Sequence, residues 1–285
     1  MVSWMAGKQS RGPKVLRVQL GRELRALRDE VGLSREDLAD RFGWHATKVS
    51  RIEQGQATVT AEEVNNLLDL FDASEETAER VRKLGQEARK RGSYGKVPDW
   101  ARGYIGMESD ADRLRVYDAE LVSGLLQTER YAKAVIATSV VVAPAEIDRT
   151  VNNRIKRHEL LTRENAPEVH VILGEAALYR QVGGPDVLKE QLQHLKDVAG
   201  LPDVTLQVLS FAAGEHAALG TGFTLLDLVD VGATYVYLED LTSSDFWDKR
   251  AHTDVYELVF SRLGVAALSE RETLAALDAA IARLS

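Results

Sequence analysis

The sequence predicts an α+β chain in two parts: an all-α head of five helices, then a larger mixed α/β body with a small sheet. Three observations predict it. Up to about residue 91 the apolar residues recur at helical spacing, and the runs are bounded by Gly or by Ser/Thr with an acid three residues on. After residue 99, runs rich in β-branched and aromatic residues alternate with helical ones. Between them Gly92-Ser-Tyr-Gly-Lys-Val-Pro98 has the composition of a linker. The expected organisation is a flexible arm 1–13, a head 14–91, a linker 92–99 and a body 100–285.

In the head, Leu20, Leu24, Leu27 and Val31 form the stripe of a first helix that stops near Gly32. Ser34 with Asp37 opens a second helix with Leu38, Ala39 and Phe42 inside, and Gly43 ends it. A third runs from about residue 46 to 54, burying Val49 and Ile52 and stopping at Gly55. Thr60 with Glu63 starts a fourth, with Val64, Leu67, Leu68 and Phe71 inside. A charged fifth, 75–91, has Val81 and Leu84 as anchors. In the body, helices are expected at about 100–117, 127–138, 144–164, 185–199, 251–266 and 269–283, and strands at 168–173, 205–209, 223–228 and 234–238.

Composition narrows function. The 285 residues carry a net charge of −8, which alone argues against a polyanion binder. The charge is uneven: residues 1–60 hold 11 Lys and Arg against 7 Asp and Glu, or +4, while the remainder hold 25 against 37, or −12. A basic head thus precedes an acidic body, and the body is expected to stay off DNA. With no cysteine, disulfides, thiolate chemistry and Cys-ligated metals are excluded. The longest apolar stretch, 134–145, is well below the ~20 residues that span a bilayer, and no secretion signal is evident. The expected location is the cytoplasm, on the nucleoid when bound to DNA, with no membrane partner.

Two short helices joined at Gly43, with Ala39 allowing a close crossing, form a helix-turn-helix. With Val49 and Ile52 inward, Thr47, Lys48 and Arg51 lie outside. Arg51 is the candidate for a bidentate guanine contact, Thr47 for a thymine methyl or hydrogen bond, and Lys48, Ser50 and Arg35 for phosphate. His45 and Ala46, at the start of the third helix, complete the expected DNA-binding set.

The runs Leu33-Ser-Arg-Glu-Asp-Leu-Ala-Asp-Arg-Phe-Gly-Trp44 and His45-Ala-Thr-Lys-Val-Ser-Arg-Ile-Glu-Gln-Gly55 resemble the Xre/Cro-type repressors over residues 16–72. The resemblance implies that the third helix enters the major groove, that Arg28 and Glu53 form a structural ion pair, and that homodimers read pseudo-palindromic operators in double-stranded DNA, with half-sites about 34 Å apart. Two positions depart from the family: His45 replaces a usual Ser, Thr or Asp cap, and Arg35 a usual glutamine.

The body shows no P-loop, nucleophile elbow or His-Glu-x-x-His motif, and its histidines lack metal-ligand spacing. No catalytic residue, metal or cofactor is expected. The segments Val122-Ser-Gly-Leu-Leu-Gln-Thr-Glu-Arg-Tyr-Ala132, Leu173-Gly-Glu-Ala-Ala-Leu-Tyr179, Val182-Gly-Gly-Pro185, Gln191-Leu-Gln-His-Leu195, Gly214-Glu-His-Ala-Ala218 and Tyr237-Leu-Glu239 resemble the regulatory domain of actinobacterial WhiJ-like, or Scr1-type antitoxin-like, regulators over residues 98–280. In that family Ser123 and Ser210 are usually prolines. The resemblance implies a transcription regulator, read here as a repressor, associated with a small companion protein encoded nearby. Tyr117, Gln127, Tyr131, Arg154, Glu175, Tyr179, His216 and Glu239 are the candidate ligand or partner contacts. Two alternatives stand beside this reading: an antitoxin-like protein whose main role is binding the companion, and an enzyme using Glu175, His216 and Glu239 as an acid/base set.

Overall fold

The computed structural model describes residues 13–90, 99–229, 232–241 and 243–284. The expected arm, apart from Pro13, and the expected linker, apart from Asp99, lie outside the described residues. The chain divides into two compact units, in which residues 102–110 group with the head and the rest of the body forms the second. The α+β class, with a helical head and a mixed body, is as the sequence indicates.

The head holds α1 (Pro13–Glu30), α2 (Arg35–Phe42), α3 (Ala46–Glu53), α4 (Ala61–Leu70) and α5 (Glu75–Ala88). Reciprocal caps set two of the starts. The Ser34 hydroxyl accepts the Asp37 N–H and the Asp37 carboxylate accepts the Ser34 N–H, each at 3.0 Å; Thr60 and Glu63 repeat the exchange at 3.1 and 2.8 Å. Gly43 takes φ 63°, a left-handed conformation suited to glycine, so the chain turns directly from α2 toward α3. Leu24, Leu27, Leu38, Ala39, Val49, Ile52, Leu67 and Phe71 share one core. Val31 leaves the expected stripe: α1 ends at Glu30, and the side chain is 41% exposed in the turn beyond.

Helix α1 crosses the end of α3 with no room for a side chain. A Cβ on Gly21 would lie 2.4 Å from the Ile52 carbonyl oxygen and 2.5 Å from that of Glu53. Gly21→Ala would gain about 1 kcal/mol of helix propensity in an open helix. Here the clash is with backbone, so the sign should reverse, with a net loss of about 1–3 kcal/mol in urea denaturation. A stabilised variant would show that α1 and α3 are not in contact at this point.

In the second unit one six-stranded sheet has the order β3-β2-β1-β4-β5-β6. Its strands are β1 (Arg113–Asp118), β2 (Glu168–Gly174), β3 (Val204–Leu209), β4 (Phe223–Leu228), β5 (Ala233–Glu239) and β6 (Ser244–Trp247). The first three are parallel neighbours and the rest antiparallel, so the carboxyl ends of β1, β2 and β3 share one edge of the sheet. The helices of this unit are α7 (Glu129–Ala137), α8 (Ile147–Lys156), α9 (Pro185–Val198), α10 (Arg250–Ala266) and α11 (Glu270–Ala282), while α6 (Asp99–Asp110) groups mostly with the head. Phe260 and Leu263 of α10 pack on Tyr117, Ile172, Phe223 and Val236 of the sheet. The outer edge of β3 is covered: the Leu268 N–H reaches the Val208 oxygen at 2.9 Å, and the Thr273 hydroxyl accepts the Val208 N–H at 3.1 Å.

Three expectations are corrected. The helix expected at 100–117 ends at Asp110, and residues 113–118 form β1, bonded on both sides. Its alternation of Arg113 and Arg115 with buried Leu114 and Val116 is a period of two inside what reads as a helical run. The helix expected at 144–164 is a 3-10 turn, α8 and a second 3-10 turn. Strand β6, outside the expected set, pairs with β5 and with no other strand among the described residues.

His158, in the turn after α8, and His194, in α9, stack with ring centroids 5.6 Å apart, and neither buried Nε2 has a hydrogen-bond partner among the described residues. Burial, then the neighbouring His194, holds His158 below its ordinary pKa, and burial does the same to His194. Both folded values therefore lie below the unfolded one of about 6.5, so the unfolded chain binds more protons between them. Their contribution to stability is complete above about pH 6.5 and is lost as pH falls through the folded values. Replacing both by Gln should flatten the fall in urea midpoint between about pH 7 and 5. An unchanged slope would show that the pair titrates as it does in water.

Candidate nucleic-acid interface

Glu53, the last residue of α3, is buried and organises the base of the recognition helix. Its Oε1 accepts the Arg28 Nε–H and its Oε2 the Arg35 Nε–H, both at 2.6 Å. Arg28 also donates to the Leu33 oxygen at 2.6 Å and is only 6% exposed. Burial pulls the Arg28 pKa down, but the Glu53 carboxylate outweighs it, leaving the guanidinium above its ordinary value. The Arg28–Glu53 pair that the family resemblance implies is thus present, and Arg35 completes a triad.

On α3, Val49 and Ile52 face the core, while Thr47 and Arg51 face outward and are exposed. Ala46, Lys48 and Ser50 are half-buried, and His45 is an exposed start residue whose side chain makes no cap. Arg51 has no hydrogen-bond or ion-pair partner among the described residues, so its guanidinium is available for bidentate contact.

The other two cations are occupied. Arg35 lies on Glu53, and the Lys48 ammonium sits 2.7 Å from the Glu63 carboxylate and 3.9 Å from the Trp44 ring centroid. Partial burial raises the Glu63 pKa, but Lys48 and the Thr60 amide outweigh it and hold the carboxyl below its ordinary value. DNA phosphate would have to compete with Glu63 for Lys48. Glu63→Gln keeps an oxygen for the Thr60 cap and releases the ammonium. It should tighten nonspecific DNA binding and steepen the salt slope by about 0.9 per head, one more phosphate neutralised. An unaltered slope would place Lys48 away from the DNA backbone.

The candidate contacts in the body separate into groups. Gln127 and Tyr131 are buried and hold the 122–128 segment: the Gln127 amide donates to the Val122 oxygen at 2.7 Å, and the Tyr131 hydroxyl accepts the Val122 N–H at 3.3 Å. Arg154 donates to Gln127 at 2.8 Å. Tyr117, also buried, lies 3.4 Å from His216 through its hydroxyl. Glu239 accepts the Tyr237 hydroxyl at 2.7 Å, Glu175 accepts the Phe211 N–H at 2.6 Å, and Tyr179 is exposed. No hydrogen bond or ion pair among the described residues joins Glu175, His216 and Glu239. Nor does any group of three or more His, Asp or Glu side chains among them stand ready to hold a metal.

Sequence reading passed over three residues. Asp118 ends β1; burial pushes its pKa up to about 6, with the Glu239 charge adding to the rise and the Ser123 hydroxyl opposing it. Phe211 and Arg283 flank Tyr179 and Glu175. Phe211 and Arg283 reach Glu175 and Tyr179 from segments distant in sequence, which no local pattern encodes.

Fold and site together define a helix-turn-helix protein of the DNA-binding regulator class. A helix-turn-helix domain family matches residues 19–81. The chain belongs to the family described as a domain of unknown function (DUF5753), which matches residues 101–279. No curated protein matches the chain. Among the described residues no helix is long and apolar enough to cross a membrane.

Proposed function

We propose that the chain is a sequence-specific transcriptional repressor of the WhiJ-like type, acting in the cytoplasm as a homodimer on a pseudo-palindromic operator. The carrying observation is Arg51, exposed and unpaired among the described residues on the outer face of α3, with Val49 and Ile52 fastened beneath it. A guanidinium in that state offers two donors to guanine without first breaking an ion pair. One short helix reads few base pairs, so useful specificity needs two heads on half-sites about 34 Å apart. The body receives the signal, a ligand or a small companion protein encoded nearby, and carries out no catalysis. The test is genome-wide mapping of bound DNA with the chain and with Arg51→Ala, in the presence and absence of the neighbouring gene. Discrete peaks that share a two-fold motif and vanish in the variant support the reading. Binding that tracks DNA abundance alone refutes it.

A further inference from the structure

The register of β2 and β3 places Gly174 opposite Leu209, so the chain leaves both strands side by side at the carboxyl edge of the sheet. Ligands of open α/β sheets lie outside that edge. Here Glu175 continues from β2 and Phe211 follows β3, and the Glu175 Oε2 accepts the Phe211 N–H at 2.6 Å, fixing the direction of the second loop. The Phe211 ring is 68% exposed. An exposed phenylalanine forgoes about 1.5–3 kcal/mol of burial. Across the groove the Arg283 guanidinium, just past α11, sits 4.9 Å from the Tyr179 ring centroid, and Gln181 and Leu284 complete the lining.

The polar groups of this groove are unsaturated. Arg283 has no carboxylate partner, Gln181 no side-chain partner and the Glu175 Oε1 no donor among the described residues. An exposed phenylalanine ring, a cation with no carboxylate partner among the described residues and one open carboxylate oxygen complement a flat apolar ring bearing a carboxylate and an ammonium. We propose that this groove is the effector site of the body and takes a small zwitterion of the aromatic amino acid class. The ring stacks against Phe211, the ligand carboxylate meets Arg283 beside Tyr179, and its ammonium meets Glu175 Oε1. Its regulatory meaning rests on the DNA-binding reading above; the binding itself does not.

The test uses the full chain without DNA and three probes, free phenylalanine, phenylpropionate and phenethylamine, read by ligand-observed NMR titration. Free phenylalanine should bind saturably and more tightly than either one-charge probe. Arg283→Gln should weaken free phenylalanine and phenylpropionate about tenfold and leave phenethylamine unchanged, the signature of one lost charge-assisted bond. Phe211→Ala, at an exposed position that does not threaten the fold, should weaken all three by about threefold to tenfold. No saturable binding of free phenylalanine, or equal affinities in wild type and both variants, would overturn the proposal. Because no DNA is present, failure here leaves the operator reading intact, and failure of operator binding leaves this result standing.

Discussion

Arg51→Ala is expected to remove a large share of the discrimination between operator and unrelated duplex while leaving the urea midpoint of the protein unchanged. The side chain is exposed and bonds to nothing among the described residues, so its removal exposes no cavity and strands no partner. A bidentate guanine contact carries about 1–3 kcal/mol of discrimination, about 5- to 150-fold for each half-site. Nonspecific affinity should fall much less, by about one unit of the salt slope at most, because phosphate contacts come from several residues. Arg51→Lys should restore part of the nonspecific affinity and little of the discrimination, since an ammonium lacks the planar fork. Gel shifts with operator and scrambled competitor at two salt concentrations separate these outcomes.

Glu53→Ala is expected to be the most damaging single change to the stability of the head. It leaves Arg28 buried with its main counter-charge gone, and it frees Arg35 at the same time. Removing one partner of a buried pair costs about 3–5 kcal/mol, a large share of the roughly 5–15 kcal/mol that keeps a domain folded. Arg35→Ala, by contrast, removes a partner that is 31% exposed and should cost under about 1 kcal/mol. Urea denaturation followed by circular dichroism reads both. Near-equal losses would mean that the triad shares its charge evenly and that Arg28 does not dominate. The same pair of variants reports on Arg35 as a phosphate contact: DNA binding lost without stability would place it on the duplex.

The head was legible because its determinants are local. Ser34 with Asp37, Thr60 with Glu63, Gly43 and the 3,4-spaced leucines each act within one or two turns, and the resulting helices start and stop close to where those signals stand. The outward face of α3 followed from the inward positions of Val49 and Ile52. What was not legible is tertiary. Lys48 reaching Glu63 and Arg35 reaching Glu53 depend on how helices cross, and they leave Arg51 as the unpaired cation among the three considered on the reading surface. In the body, Val169, Val171 and Leu173 mark β2 openly, but β1 hides its alternation behind Arg113 and Arg115. Arg115 pairs with Asp227, 112 positions away, a contact that only the sheet order creates. The groove shows the same division: Glu175 and Tyr179 stand in one recognisable segment, whereas Phe211 and Arg283 come from distant loops.

The proposed function requires that the exposed face of α3 read DNA sequence through Arg51. Selection of bound duplexes from a random library by the full chain, in parallel with Arg51→Ala, tests this most directly. The wild type should enrich a two-fold motif with half-sites one helical turn apart and a guanine at a fixed position in each, and the variant should lose preference at that guanine. Enrichment of the same motif, guanine included, by Arg51→Ala would contradict it.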